Sequence, residues 1–256
     1  HIIQAESPGP SPGKLVPKVS QSGKILYFIY FGMTAILVAC LLLAGMPLYD
    51  SLVHAFGTAG TGGFSIKNTS IGAYDNLAIE VIITIFMFIF GVNFTLHYQS
   101  LKGNIRNSLK DAEFRFYLGI VLICILLITL DLNANVFNSI GESLRYASFQ
   151  VSTIISTTGY STTDFNLWPS FSKSILIMLM FIGASAGSTA GGIKCIRIVL
   201  LFKVIRREVL RIIHPRSVHV VKVNGKAVDE EILSGVTVFF FAFVLIFTSA
   251  VLVVSL

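Results

Sequence analysis

Residues 58–64 read Thr-Ala-Gly-Thr-Gly-Gly-Phe, and residues 156–163 read Ser-Thr-Thr-Gly-Tyr-Ser-Thr-Thr. With Gly63 set on Gly159, Thr61-x-Gly63-Phe64 falls on Thr157-x-Gly159-Tyr160, at a spacing of 96 residues. Each loop closes a semi-apolar run, Leu48–Thr58 or Val136–Ser156, too short or too polar to cross a bilayer. Around them lie five stretches approaching the roughly 20 apolar residues that a spanning helix needs: Ile25–Met46, Leu77–Tyr98, Phe114–Leu132, Ser174 to about Leu201, and Leu233–Leu256. The third carries Arg115, which can snorkel at its end. Helix, half-helix, polar loop and helix therefore recur as a unit, and the last run opens a further one.

Composition excludes most other classes. The 256 residues are 54% hydrophobic and 12% charged, with a mean hydropathy of +0.79. Soluble domains carry about 25% charged residues, so too few charges remain here to coat a globule. A disordered chain would be poor in apolar residues. Cys40, Cys124 and Cys195 are odd in number and have no metal-ligand spacing. With His1 at one end and an apolar run cut at Leu256 at the other, the sequence reads as an internal fragment.

Charge orients the chain. If the first span starts inside, only Lys67, Arg145 and Lys173 of the 19 Lys and Arg residues fall on outer segments. The rest, among them Lys14, Lys18, Lys102, Arg106, Lys110, Lys194, Arg197, Lys203 and Arg216, fall inside, as the positive-inside rule requires. The net charge of +6 is thus a membrane-flanking feature and not a nucleic-acid footprint.

Both loops then enter from the outer face. Irregular backbone at membrane depth survives only where protein buries it or water lines it. Thr, Ser and Gly offer carbonyl oxygens without bulk, and rings of carbonyls replace the hydration shell of a cation in potassium-channel filters. Thr61, Gly62, Gly63 and Phe64, with Thr157, Thr158, Gly159 and Tyr160, are the candidate ion filter. The expected fold is an all-α membrane protein of potassium-channel-like helix–pore-loop–helix units. Residues 1–24 form a cytoplasmic linker, 25–101 one repeat, 102–113 a loop, 114–212 a second repeat with a broken inner helix, 213–232 a loop, and 233–256 the outer helix of the next repeat.

The break is expected at Gly183-Ala-Ser-Ala-Gly187-Ser-Thr-Ala-Gly191-Gly192, because each Gly lowers helix propensity by about 1 kcal/mol relative to Ala. Tandem Gly-x-x-x-Gly also suits close helix packing. Lys194, just inside, either opposes cation passage from the inner cavity or snorkels as a flank. Asn93 and His97, spaced i, i+4, either face a watery cavity or bond across helices. Asp164 either concentrates cations at the mouth or caps its turn, and Glu80 reads as an interfacial charge. Asn224-Gly225 reads as a turn.

Taken together, Pro8-Gly-Pro10, Thr58–Phe64, Asn93-Phe-Thr-Leu-His97, Ser156–Phe165 with Trp168-Pro169, and Gly187-Ser-Thr-Ala-Gly-Gly-Ile-Lys194 resemble the Trk/Ktr/HKT superfamily of potassium transporters. That resemblance implies four pore-loop repeats around one pore, of which this sequence holds the second and third whole. It places Gly63 and Gly159 at filter-glycine positions and makes the stretch containing Gly183, Gly187, Ser188, Thr189, Gly191, Gly192 and Lys194 an intramembrane gate. It further implies K+ or Na+ as the transported ion, no cofactor bound by this chain, a homodimer, a cytoplasmic nucleotide-binding regulatory subunit docking near His214–Glu231, and an inner-membrane location in contact with lipid.

Competing readings are sodium transport or sodium–potassium coupling, a two-loop channel subunit that dimerises, and an intramembrane hydrolase built on Gly183-Ala-Ser185-Ala-Gly187. The last lacks the strand-to-helix elbow and an acid–His pair. Gly187–Lys194 is no phosphate loop, since Ile193 separates Gly192 from the lysine. Asn68-Thr-Ser70 and Asn93-Phe-Thr95 match glycosylation sequons, the second inside a span.

Overall fold

The computed structural model describes residues 19–214 and 219–255, without the side chains of Val19 and Ser20. Pro8–Pro10, Lys14, Lys18 and Arg216 of the sequence argument lie outside the described residues. The described chain is almost wholly helical. α1 (Val19–Leu43) and α2 (Leu48–Ala59) lead through a 3-10 turn (Ser70–Tyr74) to α3 (Leu77–Phe90) and α4 (Phe94–Leu101). After α5 (Ile105–Lys110) come α6 (Ala112–Asn135), α7 (Ile140–Ile155), a second 3-10 turn (Phe165–Leu167), α8 (Ser170–Ile182) and α9 (Cys195–Ile213). A hairpin of β1 (Lys222–Val223) and β2 (Lys226–Ala227) precedes α10 (Glu230–Val254).

Local chemistry sets the boundaries. α1 stops in a Schellman motif, with Gly45 at φ +90, Met46 N–H on Leu41 O and Gly45 N–H on Leu42 O. Pro47 then opens α2. The hairpin turns on Asn224-Gly225, both at positive φ, as a two-residue turn of this type demands. The Asn224 side chain accepts from Ala112 N (2.9 Å) and donates to Asp111 Oδ2 (2.6 Å), tying the hairpin to the start of α6.

Among the described residues three helices are singly long and apolar enough to cross a membrane: Gln21–Leu43 within α1, α6 and α10. The second expected span, over Leu77–Tyr98, is a bent pair of helices that is long and apolar enough only when both halves are taken together. It breaks at Gly91–Asn93, and α4 turns 98° from α3. The last carbonyls of α3 find partners elsewhere: Phe88 O takes Tyr117 OH (3.2 Å), Ile89 O takes His97 Nε2 (3.0 Å), Phe90 O takes Thr189 Oγ1 (3.4 Å) and Gly91 O takes Ser185 N (3.0 Å). A helix end so satisfied costs little to leave unextended. A Cβ on Gly91 would sit 2.3 Å from Tyr117 OH, so only glycine lets α6 approach this closely.

Among the described residues three cores form: two belong to the repeats and interlock, and a third packs Leu200, Val221, Val223 and Leu233 around α9, the hairpin and the start of α10. Leu37, Leu41, Ile83 and Phe90 pack with Phe149 and Tyr160, two residues supplied by the second repeat. Tyr117, Ile128, Val151, Trp168 and Leu176 build the other of the two repeat cores. α10 is mostly uncovered, and Phe241, Leu245, Ile246 and Leu252 give it an apolar surface suited to lipid.

Candidate ion filter and intramembrane loop

The half-helices α2 and α7 end in backbone that superposes bond for bond at the 96-residue spacing. Gly60 N–H bonds Phe56 O and Ser156 N–H bonds Ser152 O; Thr61 N–H bonds Thr58 O and Thr157 N–H bonds Ile154 O. Gly62 and Gly63 both donate to Gly57 O, while Thr158 and Gly159 both donate to Thr153 O. The left-handed residues also coincide: Thr61 (φ +50) and Gly63 (+66) in one loop, Thr157 (+57) and Gly159 (+90) in the other. A left-handed residue every second position keeps such a segment from continuing as helix or strand. For a threonine it carries strain that the surroundings must hold.

The surroundings do hold it. Thr61 Oγ1 donates to Thr189 O (3.1 Å), and Thr157 Oγ1 accepts from Gly191 N (2.7 Å). Both strained threonines are therefore tied to the same glycine-rich segment. The loops also abut each other: a Cβ on Gly63 would lie 2.0 Å from Thr158 O. Tyr160 OH donates to His54 O (3.1 Å) and fills the space beside Gly57. Behind the first loop, His54 Nδ1–H donates to Asp50 O (2.7 Å), which leaves Nε2 to accept from Ser65 Oγ (2.9 Å). Tyr74 OH donates to Asp50 Oδ2 (2.6 Å); burial, then this bond, raises the Tyr74 pKa well above its ordinary value, so the proton stays on the phenol.

Residues 183–194 are non-helical and looped between α8 and α9. Their neck closes where Gly183 (φ +68) meets Gly192 (φ +83), and a Cβ on Gly183 would be 2.3 Å from Gly191 O. Ile193 N–H on Phe181 O (3.1 Å) and Lys194 N–H on Ile182 O (2.9 Å) seal it. Gly187 O takes Phe94 N (3.0 Å) from the first repeat. Ser188 Oγ stays within the loop on Ser185 O (2.5 Å). Lys194 Nζ donates to Ala190 O, and the Arg197 guanidinium lies 3.8 Å over the Phe239 ring. The Gly-x-Ser-x-Gly run therefore sits in a loop and not within a membrane helix, with Ser185 fully buried.

The structure also shows the contacts of the remaining candidates and corrects the reading of Glu80. Asn93 is the N-cap of α4, with Oδ1 on Thr95 N (2.8 Å), and so lies at the bend between α3 and α4. His97 reaches back across the bend to Ile89 O. Asp164 is exposed and caps the second 3-10 turn on Asn166 N (2.9 Å). Glu80 is not an interfacial charge: its carboxylate is buried and bidentate to Arg145 of the other repeat (2.6 and 2.8 Å). Tyr117, Glu113 and this ion pair escaped sequence reasoning, because their partners lie far along the chain; His54, bonded to Asp50 O and Ser65 Oγ nearby, belongs to no motif that marks it. Among the described residues no cluster of His, Cys, Asp and Glu could hold a metal ion.

Residues 4–256 match the TrkH family, described as cation transport protein. The Trk system potassium uptake protein TrkH of Salmonella typhimurium is 38% identical over 99% of this chain and 53% of its own length. The Trk system potassium uptake protein TrkG of Escherichia coli is 32% identical over the same shares. The crystal structure of the potassium transporter TrkH from Vibrio parahaemolyticus aligns with a TM-score of 0.87 at 36% identity, covering 94% of this chain and 52% of that one. The chain spans about half the length of the curated relatives it matches.

Proposed function

This chain belongs to the TrkH family of cation transport proteins, and we propose that it supplies two of the loops lining a pathway for potassium uptake. Potassium sheds water against carbonyls of Thr61, Gly62, Gly63 and Phe64 and of Thr157, Thr158, Gly159 and Tyr160. The observation that carries this reading is the pair of loops with matching bonds and matching left-handed residues, both tied to one glycine-rich segment. That segment, Gly183 to Lys194, is the gate: a plug of small residues whose displacement clears the path beneath the filter. The pathway sits in the inner membrane with its basic loops cytoplasmic. A homodimer and a nucleotide-binding cytoplasmic subunit complete the assembly. The family is one of transporters, which removes the hydrolase reading.

The test is uptake of rubidium and sodium by the full-length protein carrying Gly159→Ser. No atom lies within 4 Å of a Cβ there, so the fold is retained, but φ +90 strains any side chain by about 1–2 kcal/mol. Rubidium uptake should fall and the preference over sodium should narrow. Unaltered uptake and selectivity would overturn the filter assignment. Dominant sodium uptake in the unmodified protein would favour the sodium alternative. For the gate, Lys194→Gln removes the ammonium that holds Ala190 O and should change the shape of the current–voltage curve. An unchanged curve takes Lys194 out of the gate.

A further inference from the structure

Glu113 is a buried carboxylate, 6% exposed, at the start of α6. It projects into the hinge of the 183–194 loop. Its Oε1 accepts Ala186 N (2.6 Å) inside the loop and Ile196 N (3.1 Å) in the first turn of α9. One oxygen thus bridges the limb that enters the loop and the limb that leaves it. Its own position is fixed from outside the loop: Asp111 Oδ1 caps Phe114 N (2.9 Å), and the Asn224 side chain holds Ala112 N and Asp111 Oδ2. The loop's other ties to the pore loops and to the first inner helix are bonds between neutral groups, such as Thr61 with Thr189, Thr157 with Gly191, and Phe94 with Gly187. Hydrogen bonds to an ionised group are roughly twice as strong as those.

We propose that Glu113 is the positioning residue of the gate, the latch whose carboxylate holds both limbs of the 183–194 loop beneath the filter. The proposal rests on the gate reading above. Glu113 touches no transported ion; it acts by keeping the loop closed. Release of either amide lets the neck at Gly183 and Gly192 open, since glycines there leave the backbone free to swing.

The experiment uses the full-length protein, purified and reconstituted in liposomes, with Glu113→Gln and Glu113→Asp. Gln keeps the shape and loses the charge, whereas Asp keeps the charge and loses the reach to both amides. Two readouts are needed: resting rubidium flux, and the labelling rate of Cys195 by a membrane-impermeant thiol reagent in a background where every other cysteine of the full-length protein, Cys40 and Cys124 included, is replaced by Ser. Cys195 is fully buried, with Sγ on Gly183 O (3.4 Å), and so reports opening of the neck. Both variants should fold and show about a tenfold rise in flux and in labelling, the scale of losing one charged hydrogen bond, while preference for rubidium over sodium stays unchanged. Unchanged flux and labelling in Glu113→Gln overturn the latch and leave the gate reading standing. Faster labelling with unchanged flux overturns the gate reading itself. Failure of both variants to fold overturns the latch in favour of a purely structural cap.

Discussion

Gly63→Ser in the full-length protein is expected to destroy selective rubidium uptake, and to do so far more completely than Gly159→Ser. Both glycines are left-handed and carry similar backbone strain. They differ in what a Cβ would meet. At Gly159 there is open space; at Gly63 the new carbon would lie 2.0 Å from Thr158 O and 2.9 Å from the Thr158 carbonyl carbon. Both are backbone atoms of the opposing loop, so no rotamer change relieves the clash. Either the first loop withdraws or the carbonyl of Thr158 rotates away, and that carbonyl is one of the proposed ion ligands. Each 1.4 kcal/mol lost from ion binding is about tenfold in preference, and a displaced carbonyl should cost at least that. Equal effects from the two substitutions would show that the loops do not touch in the working protein.

Arg145→Ala should be the most destabilising change at the outer face, worth about 3 kcal/mol, the lower end of what breaking a buried pair costs. Arg145 lies on α7 and its partner Glu80 on α3, so the pair clamps one repeat to the next. The two ends are unequal. The Glu80 side chain is 4% exposed, whereas Arg145 is 25% exposed and also lies 3.7 Å from Asp75. Removing Arg145 strands a carboxylate without water; removing Glu80 leaves a guanidinium that still reaches solvent and Asp75. Thermal unfolding in detergent should therefore rank Arg145→Ala below Glu80→Ala, with the double variant more stable than Arg145→Ala alone. A double variant that loses the sum of the two single effects would show that the residues are not coupled.

The legible part of this molecule was its local and periodic part. The pore-loop repeat could be read because Thr-x-Gly-aromatic recurs at one spacing, and each copy needs glycine for its own backbone. The hairpin at Asn224-Gly225 could be read for the same reason. So could the interruption after Ile182, where four glycines in ten residues weaken a helix. The break at Gly91–Asn93 could not. A single glycine in an apolar run is tolerated in helices, and nothing near it in sequence marks Tyr117 and Ser185 as takers of the freed carbonyls and Thr189 as another. Glu80 was misread because a carboxylate near a helix end is ordinarily solvated, and its partner lies 65 residues away.

Sequence alone determined that the chain is a membrane protein, that its basic residues gather in alternate connecting segments, that two loops repeat, and which glycines their backbone requires. These are properties of single segments, set by hydropathy, charge and φ preference. Tertiary structure decided how the loops meet at Gly63 and Thr158, how residues 183–194 are tied to both strained threonines, and where Glu113 and the Glu80–Arg145 pair act. Those depend on buried polar groups finding partners across the fold. Burial makes each such bond obligatory, but only packing chooses the partner.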